Sequence, residues 1–276
     1  MSTYAYLGPA GTFTEAALQK ISQPQDLLLP YANVTATLDA VRKGEAEFAL
    51  VPIENSVEGV VARTLDELAT GDPLVIAGEV TIPVTFSLMT RNEKIDIESI
   101  ATHPHAESQC RAYIAKNYPK AEIIPTASTA AAAEALVSGL YDAAIAAPVA
   151  AQRYGLKILA NDISDTPGAV TRFVLVTKPG QLGTSTGHDR TSLAVFIAID
   201  HAGALLEILT EFKKQEVNLT FIQSRPTGLE LGHYHFIIDV EGHIQDAPVA
   251  NALAGLKIIC QDIRFLGSYP REGALS

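Results

Sequence analysis

Short apolar runs alternate with helix-period segments through the first two-thirds of the chain. Tyr4 to Leu7 reads as a strand and Gly8-Pro9-Ala10-Gly11 as a turn. Thr12-Phe13-Thr14-Glu15 then has the spacing of a capping box before an apolar helix over Ala16 to Ile21. Phe48 to Val51 reads as a buried strand running into Pro52-Ile53-Glu54-Asn55-Ser56, and the next helix places Val60, Val61, Thr64, Leu65 and Leu68 on one face. Glu79 to Met89 is strand-like, and Pro104 opens a helix that continues through Tyr118. Ile123-Ile124 is a short strand, Ser128-Thr129 caps an alanine-rich helix over 130–139, and strands are expected at 143–147 and 171–177. Alternation of this kind predicts an α/β fold with mainly parallel sheet.

Residues 178–190 break the pattern. They are rich in Gly, Ser and Thr and read as a linker. Beyond them come a strand over Thr191 to Ile199, a helix with Leu205, Ile208, Leu209 and Phe212 on one face, and a strand over Val217 to Gln223. A turn region follows from Ser224 to Gly232. The strand His233 to Val240, a helix over Ala247 to Ile259 and a strand from Ile263 to Leu266 complete the chain. The order β-α-β-β-α-β is the ferredoxin-like unit. On the penultimate strand, His233 and His235 alternate with Tyr234 and Phe236, which gives the histidines a solvated or interface face rather than a metal site.

Composition narrows the function. With 47% apolar and 18% charged residues in 276, the chain has the material for a large core and about two domains. The formal charge of −11 argues against nucleic acid as a partner. No apolar stretch approaches the ~20 residues that cross a bilayer. The N-terminus lacks a secretory pattern, and Cys110 and Cys260 make no disulfide framework, so a reducing cytoplasm is expected. Dinucleotide, P-loop, serine-hydrolase and zinc-protease motifs are absent from the sequence.

Candidate chemistry gathers at four places. Gly11-Thr12, Asn55-Ser56 and Ser128-Thr129 read as polar, loop-fed helix starts, each either an anion site or an ordinary N-cap. Thr171-Arg172-Phe173 sets a hydroxyl, a cation and a ring at a strand start, where the Arg172 guanidinium either snorkels or grips a carboxylate.

Six ordered segments resemble the bacterial prephenate dehydratases that carry a C-terminal ACT regulatory domain. They are Gly8 to Glu15, Pro52 to Gly59, His103-Pro104-His105-Ala106 with Gln109-Cys110, the Thr171-Arg172-Phe173 signature, and the effector motifs Gly203-Ala204-Leu205 and Asn218-Leu219 through Gln223-Ser224-Arg225-Pro226. Three positions depart from the family habit: His105 stands where Gln is common, Ala169 where Asn is common, and Gln223 where Glu is common.

The resemblance implies a two-lobed catalytic domain over 1–178, similar to type II periplasmic binding proteins. Lobe one would hold about 1–78 and 168–178, and lobe two about 79–167. A linker over 179–190 and an ACT domain over 191–276 follow. It implies conversion of prephenate to phenylpyruvate, CO2 and water without cofactor or metal. Thr171 would donate to the departing oxygen, with Glu54 as the alternative acid. Arg172 would clamp a carboxylate, and Gly11, Thr12, Asn55, Ser56, Ser128, Thr129 and Phe173 would surround the substrate. It implies phenylalanine as effector at paired ACT domains, touching Gly203, Ala204, Leu205 and Asn218, with Gln223, Ser224, Arg225 and Pro226 opposite. Pairing implies a dimer or tetramer. Arogenate dehydratase and a non-catalytic cytoplasmic sensor are the alternatives.

Overall fold

The computed structural model describes residues 1–92, 96–197, 201–226 and 234–272. Its first strands and helices are β1 (Thr3–Leu7), α1 (Phe13–Gln19), β2 (Leu27–Tyr31), α2 (Val34–Lys43), β3 (Phe48–Asn55), β4 (Gly59–Val60), α3 (Ala62–Thr70) and β5 (Val75–Pro83). Next come β6 (Ser87–Thr90), β7 (Ser99–Thr102), α4 (Pro104–Gln109), α5 (Arg111–Asn117), β8 (Glu122–Pro125), α6 (Thr129–Val137), β9 (Ala143–Ala146), α7 (Pro148–Tyr154), β10 (Lys157–Ala160) and β11 (Val170–Thr177). The last are β12 (Asp189–Ile197), α8 (Ala204–Lys214), β13 (Leu219–Pro226), β14 (Tyr234–Glu241), α9 (Ala247–Ile259) and β15 (Cys260–Pro270).

The first sheet runs β2-β1-β3-β11-β5, with β4 paired to the end of β3. The second runs β10-β6-β9-β7-β8 and is mixed: β7 pairs parallel with β8 and β9, while β6 pairs antiparallel with β9 and β10. The chain passes from one sheet to the other between β5 and β6 and returns between β10 and β11. The two passages are joined where Val84 N–H donates to the Ala169 carbonyl at 2.7 Å. Two sheets with helices between their strands make up the α/β class expected from the sequence.

Two expected elements are broken. The strand expected over Glu79 to Met89 is interrupted between Pro83 and Ser87, where the chain changes sheets. The helix expected from Pro104 through Tyr118 divides at Cys110, whose backbone (φ −121°, ψ 12°) ends α4 and starts α5. Buried Ala106, Cys110 and Ile114 still pack into one core with Ile100 and Ile145, so the apolar periodicity survives the break.

The C-terminal sheet is antiparallel, in the order β13-β14-β12-β15, the ferredoxin-like arrangement. Leu193 and Val195 of β12 and Phe236, Ile238 and Val240 of β14 face Ile208 and Phe212 of α8 and Val249, Leu253 and Leu256 of α9. Strand alternation puts His235 on the opposite face. It is fully buried there, stacked on Phe196 with ring centroids 5.0 Å apart. The face is thus an interface rather than a solvated one, and His233 lies outside the described residues.

Contacts group the chain into two compact units: 1–37, 50–60 and 81–173 form the first, and 38–49, 61–80 and 174–276 the second.

Candidate active site

Strand alternation organises the site in the first unit. Asn55 ends β3 and Thr171 lies near the start of β11. Asn55 Nδ2 donates to Thr171 Oγ1 at 2.8 Å. The Asn55 carboxamide oxygen accepts from the Val57 and Glu58 N–H groups, each at 2.8 Å, and so pins the turn before β4. The neighbours of these two residues along their strands point to the other face. There Arg172 and Glu54 meet each other at 3.4 Å.

The Asn55–Thr171 pair borders a cavity of about 290 Å³. Its wall includes Phe13, Glu58, Val84, Phe86, His103, His105, Gln109, Ser128 and Thr129. Gln109 Nε2 donates to Glu58 Oε1 at 3.0 Å, and His105 Nδ1 lies 3.8 Å from Glu58 Oε2. His103 Nδ1 accepts the His105 N–H at 3.2 Å, which places the proton of the neutral ring on Nε2. Burial, and then the neighbouring His105, lower the His103 pKa, so at neutral pH this ring serves as a neutral donor. Ser128 caps α6 by accepting the Ala131 N–H at 3.0 Å. The first N–H groups of that helix have no intrahelical partner and lie at its positive end.

Thr171, Asn55, Ser128 and Thr129 are therefore brought together as the sequence reading expected. Other candidates fall elsewhere. Asn55-Ser56 is not a helix start: Asn55 closes a turn into β4, and α3 begins only at Ala62. Ser56 is held against β11 through its N–H on the Val170 carbonyl and its Oγ on the Val170 N–H. The Gly11 N–H, expected to be open to an anion, is bonded to the buried Glu15 carboxylate. Thr12 Oγ1 donates to the Leu7 carbonyl while capping α1. Neither Gly11 nor Thr12 lines the cavity. Arg172 and Glu54 are also outside its wall, on the far face of their strands, and Phe173 is packed in the core at 2% exposure.

The carboxylate that does reach the cavity is Glu58; His103, whose place at a helix start suits a cap, does cap α4 and also lines the cavity, as do Gln109, Phe13 and Phe86. Glu58, Gln109 and His103 sit inside the quoted motifs. Their roles depend on which loop folds over which strand end, and local spacing does not carry that.

In the second unit, register defines the two ends of the C-terminal sheet. Phe196 pairs with His235 and His235 with Arg225, so Gly203, Ala204 and Leu205 follow β12 at the same end as Gln223 to Pro226. Thr191 and Leu219 both pair with Val240, which puts Asn218 at the other end. α8, of 11 residues, separates Gly203 from Asn218 by about 16 Å. Within one chain the effector candidates therefore do not form a single pocket. Arg225 is already engaged: its Nε and Nη2 donate to Asp66 Oδ1 and Oδ2 of α3 at 2.8 and 2.7 Å.

Comparison with known proteins identifies the family. The prephenate dehydratase family matches residues 4–181 and the ACT domain family residues 191–257. A prephenate dehydratase of Amycolatopsis methanolica is 46% identical over 100% of this chain and 91% of its own. The crystal structure of a prephenate dehydratase from Arthrobacter aurescens, in complex with L-Phe, superposes with a TM-score of 0.91. It is 50% identical and covers 98% of this chain and 90% of its own. A second structure, described as a quorum-quenching acylase, GqqA, shares the fold at TM-score 0.87 and 29% identity, covering 98% of each chain. Its different description shows that one fold carries more than one activity, so the assignment rests on the closer relatives and on the ordered motifs. Matched over residues 4–181 by the prephenate dehydratase family and over residues 191–257 by the ACT domain family, the chain belongs to the prephenate dehydratase family.

Proposed function

We propose that the cavity beside Thr171 is where prephenate loses CO2 and water to become phenylpyruvate, and that Thr171 is the donor to the departing hydroxyl. One observation carries this. Asn55 Nδ2 donates to Thr171 Oγ1, so the hydroxyl accepts from behind and keeps its own proton for a partner in the cavity. As the ring carboxylate leaves, its bonding electrons enter the ring and the C–O bond to the hydroxyl breaks. The departing oxygen gains negative charge, which a positioned donor stabilises. A threonine hydroxyl is too weak an acid to give up its proton near neutrality, so its contribution is electrostatic, and the departing hydroxide takes the proton that makes it water from the solvent.

The other groups suit a dianion in a chain of net charge −11. The first turn of α6 at Ser128-Thr129 and the Nε2–H of His103 offer donors for carboxylate oxygens. Phe13 and Phe86, edge to face at 5.5 Å, give the ring an apolar wall. Arg172 supports the site from behind through Glu54 rather than clamping the substrate. Thr171→Ala should lower kcat by roughly 10²-fold or more with little change in KM, as loss of a charge-stabilising donor does. Near-normal turnover of prephenate would remove Thr171 from this role. Parallel assays with arogenate separate the two substrates, and turnover of neither would favour a sensor.

The ACT domain, and the L-Phe bound by the relative from Arthrobacter aurescens, support L-phenylalanine as the effector. The separation of Gly203 from Asn218 favours a site completed by a second copy, and so a dimer or a higher state. We place the domain boundary in the 179–190 segment, where Asp189 gathers hydrogen bonds from Ser185, Thr186 and Gly187. No helix among the described residues is long and apolar enough to cross a membrane, and cytoplasmic location remains part of the same reading.

A further inference from the structure

The face of the ACT sheet away from α8 and α9 presents three arginines to elements of its own compact unit. Arg225 of β13 grips Asp66, in the middle of α3, through two parallel hydrogen bonds of 2.8 and 2.7 Å. Arg264 of β15 donates to the Leu68 and Gly71 carbonyls at 3.3 and 2.6 Å, a cation on the C-terminal end of the same helix. Arg190 of β12 lies between Glu79 and Asp239 at 3.3 and 3.5 Å. The body of α3 is thus bound to the regulatory sheet. Its N-terminus is bound to something else by the chain itself: Val61, its N-cap, directly follows β4, whose Val60 and Gly59 pair with Glu54 and Asn55.

We propose that Arg225 is the coupling residue of this enzyme, not an effector ligand, and that the Arg225–Asp66 pair carries the state of the effector end of β13 through α3 to the Asn55 turn. The inference rests on L-phenylalanine regulation as read above and specifies its route. Gln223 to Pro226 form the end of β13, so any change in that segment moves the Arg225 guanidinium. The bidentate fork ties that movement to Asp66 with a fixed geometry, which a single-point contact would not. α3 is nine residues of regular helix and transmits displacement along its axis to Val61 and the strand pair that ends at Asn55. Asn55 in turn holds Thr171. The helix and its two anchors form one contiguous element between the two ends, which is what the proposed coupling between sites requires.

The test separates binding from response. Full-length wild type, Asp66→Asn, Asp66→Glu and Arg225→Lys are each assayed for prephenate turnover with and without L-phenylalanine, and for L-phenylalanine binding by calorimetry. The proposal expects Asp66→Asn to retain basal turnover and to bind L-phenylalanine, while the effect of saturating L-phenylalanine on kcat/KM, commonly 5–150-fold, collapses toward onefold. Asp66→Glu keeps the carboxylate and should recover part of the response, and Arg225→Lys should weaken it even if Asp66→Asn does not fold. An unaltered response in Asp66→Asn and Arg225→Lys overturns the coupling role. Loss of L-phenylalanine binding in Asp66→Asn also overturns it, by making Asp66 part of the effector site. A wild-type enzyme indifferent to L-phenylalanine instead removes the regulatory reading beneath it, a different result in the same experiment.

Discussion

At the scale of single residues, the site is an exercise in which way a side chain faces. Thr171 and Arg172 are adjacent, and a pleated strand cannot aim both into one cavity. The sequence showed that a hydroxyl and a cation stand together at a strand start. It could not show that Glu54, one position before Asn55, would meet Arg172 on the far side. Asn55 has two jobs that a substitution can separate. In Asn55→Asp the carboxylate still accepts from the Val57 and Glu58 N–H groups, so the turn is kept. Its second oxygen accepts where Nδ2 donated, and the Thr171 proton turns toward it. Asn55→Asp should therefore lose kcat nearly as severely as Thr171→Ala while its thermal midpoint stays close to that of the wild type. Full activity in this variant would mean that the orientation of Thr171 is immaterial.

At the scale of elements, those with a local cause were legible. α1 and α6 were marked by their caps, Thr12 and Ser128, and the sheet-facing side of α8 by its 3.6-residue period. The short strands β2, β7 and β10 were missed; each is four or five residues and contains too few alternations to stand out. The ferredoxin-like order was legible because β12, α8 and β14 are long and carry a clear strand or helix period. What no pattern conveys is the tight passage of β15 against β5. Gly267 has φ +143°, and a Cβ there would overlap the backbone of Ile76. Gly267→Ala should therefore destabilise the fold by at least about 1–3 kcal/mol through backbone strain alone. Urea unfolding that finds less than ~0.5 kcal/mol, an ordinary surface value, would show that β15 can move away from β5 at little cost.

At the scale of the whole molecule, buried charge and buried imidazole set the response to pH. His235 is fully enclosed, and neither ring nitrogen has a hydrogen-bond partner among the described residues. Burial lowers its pKa; the facing Asp66 opposes the shift and Arg225 adds to it. A histidine with a folded pKa below its unfolded value of about 6.5 adds stability that is complete above that pH and is lost as the pH falls through the folded value. His235→Phe should flatten the fall in stability between pH 7 and pH 5, leaving the part that His103, shifted the same way, contributes. Urea midpoints for both proteins at the two ends of this range provide the check, and equal slopes would count against the assignment.

The distance between Gly203 and Asn218 has a consequence of its own. If one molecule supplies the first end of an effector site and its twin the second, the sites come in symmetry-related pairs, and L-phenylalanine acts as a fastener between copies. Mass action then ties metabolite to assembly: ligand tightens the association, and dilution releases the ligand. Feedback sensitivity becomes a property of enzyme concentration as much as of affinity, and a cell holding few copies would have a pathway with a weaker brake.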